Sequence, residues 1–182
     1  DARSAGYRTA DFDYALPAEL IAQHPPPQRA ASRLLHVLPD ALRDLAFRDL
    51  PRLVQRGDVM VFNDTRVVKS RLVARKPSGG RVELLLERVL GPAAARFQIR
   101  ASHPPHPGAI VLLPGDIEAV VTARDGRFVD LSLPGVASLL EYLERYGATP
   151  LPPYITRGAE REDEERYQTV YARHPGAVAA PT

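Results

Sequence analysis

The chain has 182 residues, 45% of them hydrophobic and 25% charged, with a formal net charge of +2 and no Cys. That length can bury one good core or two small ones, in the composition range of globular proteins. Without Cys the chain holds no disulfide, cysteine–zinc site, iron–sulfur cluster or cysteine nucleophile, and no apolar run reaches membrane-spanning length.

In chain order, the start lacks the basic-then-apolar layout of a secretory signal, so a cytoplasmic location is expected. LPAELIAQH (Leu16 to His24) predicts a short helix with Pro17 near its start, stopped by Pro25, Pro26 and Pro27. RLLHVL, from Arg33, is strand-like. AFRDLPRLVQRGD, from Ala46, predicts a helix closing at Gly57, with Leu50, Leu53 and Val54 on one face. Val59 to Phe62 is a four-residue apolar run that reads as a buried strand. Asn63-Asp64-Thr65-Arg66 then suits either a plain turn between strands or a ligand loop on a rigid strand end.

From Val67 the texture changes. Segments 67–76, 81–90, 96–101, 109–113, 117–124 and 127–133 are strand candidates split by Gly- and Pro-containing turns, the pattern of a small antiparallel barrel or sandwich. Helical periodicity returns over Val136 to Gly147, where Leu139, Leu140 and Leu143 form an apolar stripe. AEREDEERY, ending at Tyr167, reads as a solvated helix face. The order is mixed α/β, then a β-rich module, then mixed again.

Charge is unevenly placed. Residues 66–100 hold nine bases (Arg66, Lys69, Arg71, Arg75, Lys76, Arg81, Arg88, Arg96, Arg100) against Glu83 and Glu87, a local +7 that leaves −5 elsewhere. Clustered cations suit a polyanion partner. Compositional bias explains why 22 of the 24 bases are Arg, but not their clustering. His103-Pro-Pro-His106 has metal-like spacing in a proline loop, and a loop is the better reading; no metal site is expected. Glu83 lies on a strand whose Val82, Leu84 and Leu86 share the opposite face, so it either balances charge or serves as an acid or base. Tyr154, Tyr167 and Tyr171 could stack on bases of single-stranded RNA or pack in a core. GAVAAPT, Gly176 to Thr182, is small-residue backbone suited to close approach of a ligand or another segment.

FDYALPAELIAQHPPPQRAASRLL, GDVMVFNDTRVVKSRL, GGRVELLLER, LPPYITR and RYQTVYARHPGAVAAPT, taken together and in this order, resemble the S-adenosylmethionine:tRNA ribosyltransferase-isomerase family of queuosine biosynthesis, from about Phe12 to Thr182. The resemblance implies a large α/β barrel-like domain, incomplete here, interrupted by a small antiparallel β-barrel. The implied division is 1–66 and 136–182 for the large domain, whose continuation is missing, and 67–135 for the insertion.

It further implies transfer and isomerisation of the ribosyl part of S-adenosylmethionine onto 7-aminomethyl-7-deazaguanine at the tRNA wobble position, giving epoxyqueuosine, adenine and methionine. The implied partners are that tRNA and S-adenosylmethionine, which is a substrate, with no cofactor, metal or membrane. Carried over by position, the implied substrate-binding residues are Asn63, Thr65, Arg66, Arg71, Tyr154, Arg157, Tyr167, Gln168, Thr169, Tyr171, Gly176, Ala177, Ala180, Pro181 and Thr182. Glu83, in the Gly-Gly-x-x-Glu pattern, is the catalytic candidate. Lys69-Ser70 departs from the expected Pro-Ala, which leaves the path of that loop open. The rival readings are a non-enzymatic tRNA-binding β-barrel, an inactive fragment, and an ordinary methyltransferase, against which the missing glycine-rich strand–loop–helix argues.

Overall fold

The computed structural model describes residues 6–180. They fall into two compact units. The first comprises the described residues up to Gln55 with Pro153–Arg157; the second comprises Arg56–Pro152 and the described residues from Gly158 onward.

In the first unit, β1 (Arg33–Val37) and β2 (Leu42–Ala46) form an antiparallel pair with Arg33 opposite Ala46 and Val37 opposite Leu42. The sequence predicts β1 but not β2, where Arg43 and Asp44 interrupt the apolar pattern. Both helices expected here are shorter than predicted. Leu16 to His24 holds a single 3-10 turn, Ala18–Leu20, because a segment bounded by Pro17 and Pro25 is too short to recover the cost of helix nucleation. The second expected helix is a 3-10 helix, Phe47–Arg52, with Pro51 inside it. Pro51 lacks an amide hydrogen and its ring crowds the carbonyl four residues back, so an α-helix cannot propagate to Gly57.

The second unit also corrects the expected buried strand at Val59 to Phe62. The run has no ladder partner among the described residues, and Val59 and Val61 are 87% and 91% exposed. Apolar composition asks for burial but supplies no neighbouring strand. β3 (Thr65–Val67) follows, paired in parallel with β10 (His174–Ala177).

Six strands then close a barrel: β4 (Arg71–Arg75), β5 (Arg81–Gly91), β6 (Ala94–Arg100), β7 (Ile110–Leu113), β8 (Ile117–Asp125) and β9 (Phe128–Ser132), in the order β4-β5-β6-β9-β8-β7. Each overlaps a segment predicted from the sequence. Alternation drives closure: Leu72, Ala74, Val82, Leu84, Leu86, Phe97, Val111, Val121, Val129 and Leu131 point inward and are buried, and a closed barrel leaves no unpaired edge. Gly79, with φ +89°, makes the β4–β5 turn that an L side chain rarely adopts.

α1 (Leu139–Tyr146) packs on this core, capped at its start by Ser138, whose hydroxyl accepts from the Glu141 amide. Its buried stripe is Leu139, Tyr142 and Leu143, while Leu140 is 46% exposed. A helix places i, i+3 and i+4 on one face, and Leu140 is off it. At the helix end, a Cβ on Gly147 would overlap the Lys69 carbonyl, so glycine lets the chain pass closely enough for Ala148 and Arg71 to exchange backbone hydrogen bonds of 2.8 and 3.2 Å. α2 (Arg161–Arg166) is mostly solvated as expected, except that Asp163 is buried and its carboxylate accepts from the Glu160 amide at 2.8 Å.

Tyr142 donates its hydroxyl to the Pro114 carbonyl at 2.8 Å, tying α1 to the β7–β8 turn. Burial, with a smaller contribution from Tyr146, pushes its pKa up to about 12. A hydroxyl whose pKa rises on folding stabilises the fold fully below its ordinary value, about 10, and that contribution is lost as pH rises through about 12. Urea midpoints should therefore fall between these pH values. Tyr142→Phe should cost about 1 kcal/mol at neutral pH and should flatten the alkaline fall. An equally steep fall in the variant would assign the alkaline loss to other groups.

Candidate functional site

The loop before β3 is held by its own polar residues. Asn63 Oδ1 accepts from the Thr65 amide at 3.1 Å and from the Thr65 hydroxyl at 2.7 Å, the local turn chemistry for which Asn and Thr are suited. β10 lies alongside, with His174 opposite Thr65, Pro175 opposite Arg66 and Ala177 opposite Val67. The Asp64 carbonyl accepts from the amides of Arg173 and His174, and the Asp64 carboxylate lies 3.2 Å from His174 Nδ1. The β3 edge away from β10 is filled by a side chain: Gln168 Oε1 accepts from the Val67 amide at 2.8 Å, and its Nε2 donates to the Val67 carbonyl at 2.9 Å. One amide side chain thus takes the place of a third strand.

Beside this sheet lies a small open cavity with an empty volume of about 310 Å³, lined by Arg66, Val67, Val68, Lys69, Glu144, Thr149, Pro150, Glu164 and Gln168. Lys69 Nζ sits 3.0 Å from a Glu164 oxygen and 3.4 Å from a Glu144 oxygen. Its pKa is raised, chiefly by the hydrogen bond to Glu164 and less by Glu144, with burial opposing. The ammonium is thus neutralised from two sides. Arg66 is exposed and, among the described residues, has no carboxylate partner. It is the cation on this cavity that remains available to an anion.

The other expected residues divide clearly. Tyr167 donates to the carbonyl of Pro150, a cavity-lining residue, at 3.1 Å. The Thr169 hydroxyl is shielded from solvent and has no hydrogen-bond partner among the described residues. Tyr171 meets Phe62 edge to face, with ring centroids 5.1 Å apart. The Ala177 carbonyl accepts from the Val68 amide at 2.9 Å, and Gly176 lies within β10. Ala180 is exposed, and Pro181 and Thr182 lie outside the described residues.

Arg71 donates to the Leu151 carbonyl at 2.9 Å and lies 3.9 Å from Glu83, whose other oxygen is 3.0 Å from Arg81. Tyr154 and Arg157 belong to the first compact unit. There Gln23 donates to the Tyr154 carbonyl at 3.0 Å, and Arg157 donates to the Gln23 carbonyl at 2.8 Å. His106 Nδ1 lies 2.8 Å from the Pro107 carbonyl, and among the described residues no three His, Asp or Glu converge as a metal-binding group. No described helix is long and apolar enough to cross a membrane.

Two features went unread in the sequence. The Lys69–Glu144–Glu164 cluster joins three distant segments, and its only signal was the Lys at a position where Pro was expected. The Asp64–His174 pair was hidden because its two residues come from distant segments that no local pattern links.

The family described as "Queuosine biosynthesis protein" matches residues 9–182. The chain belongs to this family. Within the queuosine biosynthesis family, it is 54% identical over 174 residues to a protein of Nitrosospira multiformis named S-adenosylmethionine:tRNA ribosyltransferase-isomerase, covering 94% of this chain and 49% of that one. Proteins of the same name from Stenotrophomonas maltophilia and Thiobacillus denitrificans are also 54% identical, each across 96% of this chain and 52% and 51% of their own lengths. A crystal structure of S-adenosylmethionine tRNA ribosyltransferase from Thermotoga maritima is 26% identical over 91% of this chain and 56% of that one, with a TM-score of 0.39. At that score the likeness supports no structural inference. The chain spans about half the length of the curated relatives it matches.

Proposed function

We propose that the polypeptide carrying this chain transfers and isomerises the ribosyl part of S-adenosylmethionine onto 7-aminomethyl-7-deazaguanine at the tRNA wobble position. The observation that carries this reading is the family membership across residues 9–182, with relatives of that name at 54% identity. The geometry supports it, because two segments far apart in the sequence meet in one parallel sheet beside a cavity with a free arginine.

The chemistry asks for little that such a site lacks. The sulfonium acidifies an adjacent ribose C–H, so one positioned base takes that proton. Adenine then leaves the sugar, the amine of the modified base attacks it, and methionine departs as the epoxide closes. In this reading Arg66 holds an anionic group of a bound substrate, either the S-adenosylmethionine carboxylate or a tRNA phosphate. Asn63 and Thr65 fix the loop that presents it, Gln168 pins β3, and Arg71 positions the strand that follows. Tyr154, Arg157, Tyr167, Thr169, Tyr171 and the small residues from Gly176 stay proposed substrate contacts. For Glu83 to act as the proton acceptor, its carboxylate must first leave Arg81 and Arg71, and its candidacy rests on the family pattern alone.

The same reading makes 67–135 an insertion in a larger α/β domain formed by 1–66 and the chain from 136, places the reaction in the cytoplasm, and consumes S-adenosylmethionine as a substrate without a cofactor. The test is adenine release by the native polypeptide. Release should require tRNA bearing 7-aminomethyl-7-deazaguanine, with unmodified tRNA as the control. Tight tRNA binding with no adenine would replace the enzyme by a binding module.

A further inference from the structure

The nine bases of residues 66–100 do not form one surface. Lys69 is neutralised by Glu144 and Glu164, Arg71 is tied to the Leu151 carbonyl, and Arg96 grips Asp130 through two bonds of 2.6 and 2.8 Å. The Arg96–Asp130 contact also lowers the Asp130 pKa, burial opposing. Of the other six, Arg66 lies on β3, Lys76 donates to the His103 carbonyl at 3.2 Å from the β4–β5 turn, and Arg88 stands opposite Arg96; Arg75, Arg81 and Arg100 group at one end of the outer face of β4–β5–β6.

Pleating turns Leu72, Ala74, Val82 and Leu84 inward, so Arg75 on β4, Arg81 on β5 and Arg100 on β6 all face out. The register places Arg75 directly opposite Arg81, and Arg100 opposite Glu83, one outward step from Arg81. All three arginines are exposed. Arg81 is 3.0 Å from Glu83, the single acid among them, while Arg75 and Arg100 have no ion-pair partner among the described residues. The next acid in this row, Glu118, stands two strands away, beyond Leu112.

Like charges directly opposed across two strands destabilise a sheet. Folding alone therefore gives no reason to set Arg75 against Arg81. A row of phosphates does. Phosphate oxygens accept forked guanidinium hydrogen bonds, and binding releases condensed counterions. The side chains between these arginines are Val73 and Glu83, with no aromatic ring among them, so the face can grip a backbone but has nothing on which a base could stack.

We infer that this outer face of β4–β5–β6 binds phosphates of the tRNA backbone, with Arg75, Arg81 and Arg100 as the contacts. The inference rests on the tRNA part of the proposed function and gives it a surface. It is a positioning surface: it holds the nucleic acid without reading its sequence or its modified base.

The test measures binding of a labelled, unmodified tRNA transcript to the native polypeptide as a function of salt. The variants are R75Q/R81Q/R100Q and, as a control of equal charge change, R43Q/R48Q/R124Q, exposed positions on β2, on the 3-10 helix Phe47–Arg52 and on β8. The first variant should make the slope of log K against log salt shallower by about 2, and should weaken binding by about 10- to 100-fold near 0.1 M salt. The control should retain the original slope. Modified tRNA should lose affinity in the same proportion as unmodified. Tight wild-type binding with an unchanged slope in the first variant, or equal losses in both variants, overturns this surface and leaves the proposed function standing. No wild-type binding at low salt overturns the tRNA reading and this inference together.

Discussion

Phe97→Ala is expected to cost the barrel about 3–5 kcal/mol and to lower the urea midpoint steeply with little change in slope. Phe97 is fully buried on β6, opposite Leu86 of β5 and Val129 of β9, among the inward side chains of all six strands. Small residues at Ala74, Ala95 and Ala119 are buried around the same interior, so its ring fills volume that neighbours cannot reach. A closed barrel relaxes poorly around a cavity because every strand is bonded on both sides, which places the cost in the upper part of the range. Leu140→Ala, on the exposed side of α1, is the contrast and should shift the midpoint little. A loss under about 1 kcal/mol for Phe97→Ala would mean that the barrel is not packed as described.

Arg66→Ala should reduce kcat/KM for adenine release by about 10- to 100-fold, the worth of one charge-assisted hydrogen bond, while leaving thermal unfolding unchanged. The separation of the two effects follows from its surroundings. Arg66 is exposed on β3, and no carboxylate among the described residues holds it, so folding loses nothing when it is truncated. Lys69, its neighbour on the cavity, cannot substitute, because Glu144 and Glu164 already occupy its ammonium. Arg66→Lys should recover part of the loss, since it keeps the charge but not the planar fork. Unchanged kinetics in Arg66→Ala would remove the residue from the substrate's path.

The barrel was legible because its strands alternate and its turns carry Gly or Pro at regular spacing, a pattern set by local rules. Val59 to Phe62 was misread for the opposite reason: four apolar residues cannot say what lies beside them. Pro51 shortened a helix whose apolar spacing looked sound, and Tyr142 took the buried place that spacing had given to Leu140. β10 escaped notice because Pro175 and Gly176 are poor strand residues, yet it pairs with β3 from the far end of the chain.

The site was readable as a set of motifs and not as a set of roles. Asn63 bonds Thr65, and Gln168 and Ala177 both bond the β3 segment, but Gln168 holds the Val67 backbone with both ends of its amide. The two carboxylates at Lys69 come from α1 and α2, a contact created only by folding, which no local pattern contains. Charge clustering was visible in the sequence, whereas which arginines remain unpaired depends on strand register.

Ribosyl transfer and methyl transfer are separated by S-adenosylmethionine labelled separately in its ribosyl carbons and in its methyl group, with the native polypeptide and tRNA carrying 7-aminomethyl-7-deazaguanine. Ribosyl label should enter the tRNA while methyl label leaves with free methionine. Methyl label retained in the tRNA, with the ribosyl label left in solution, would make the protein a methyltransferase and rule out ribosyl transfer.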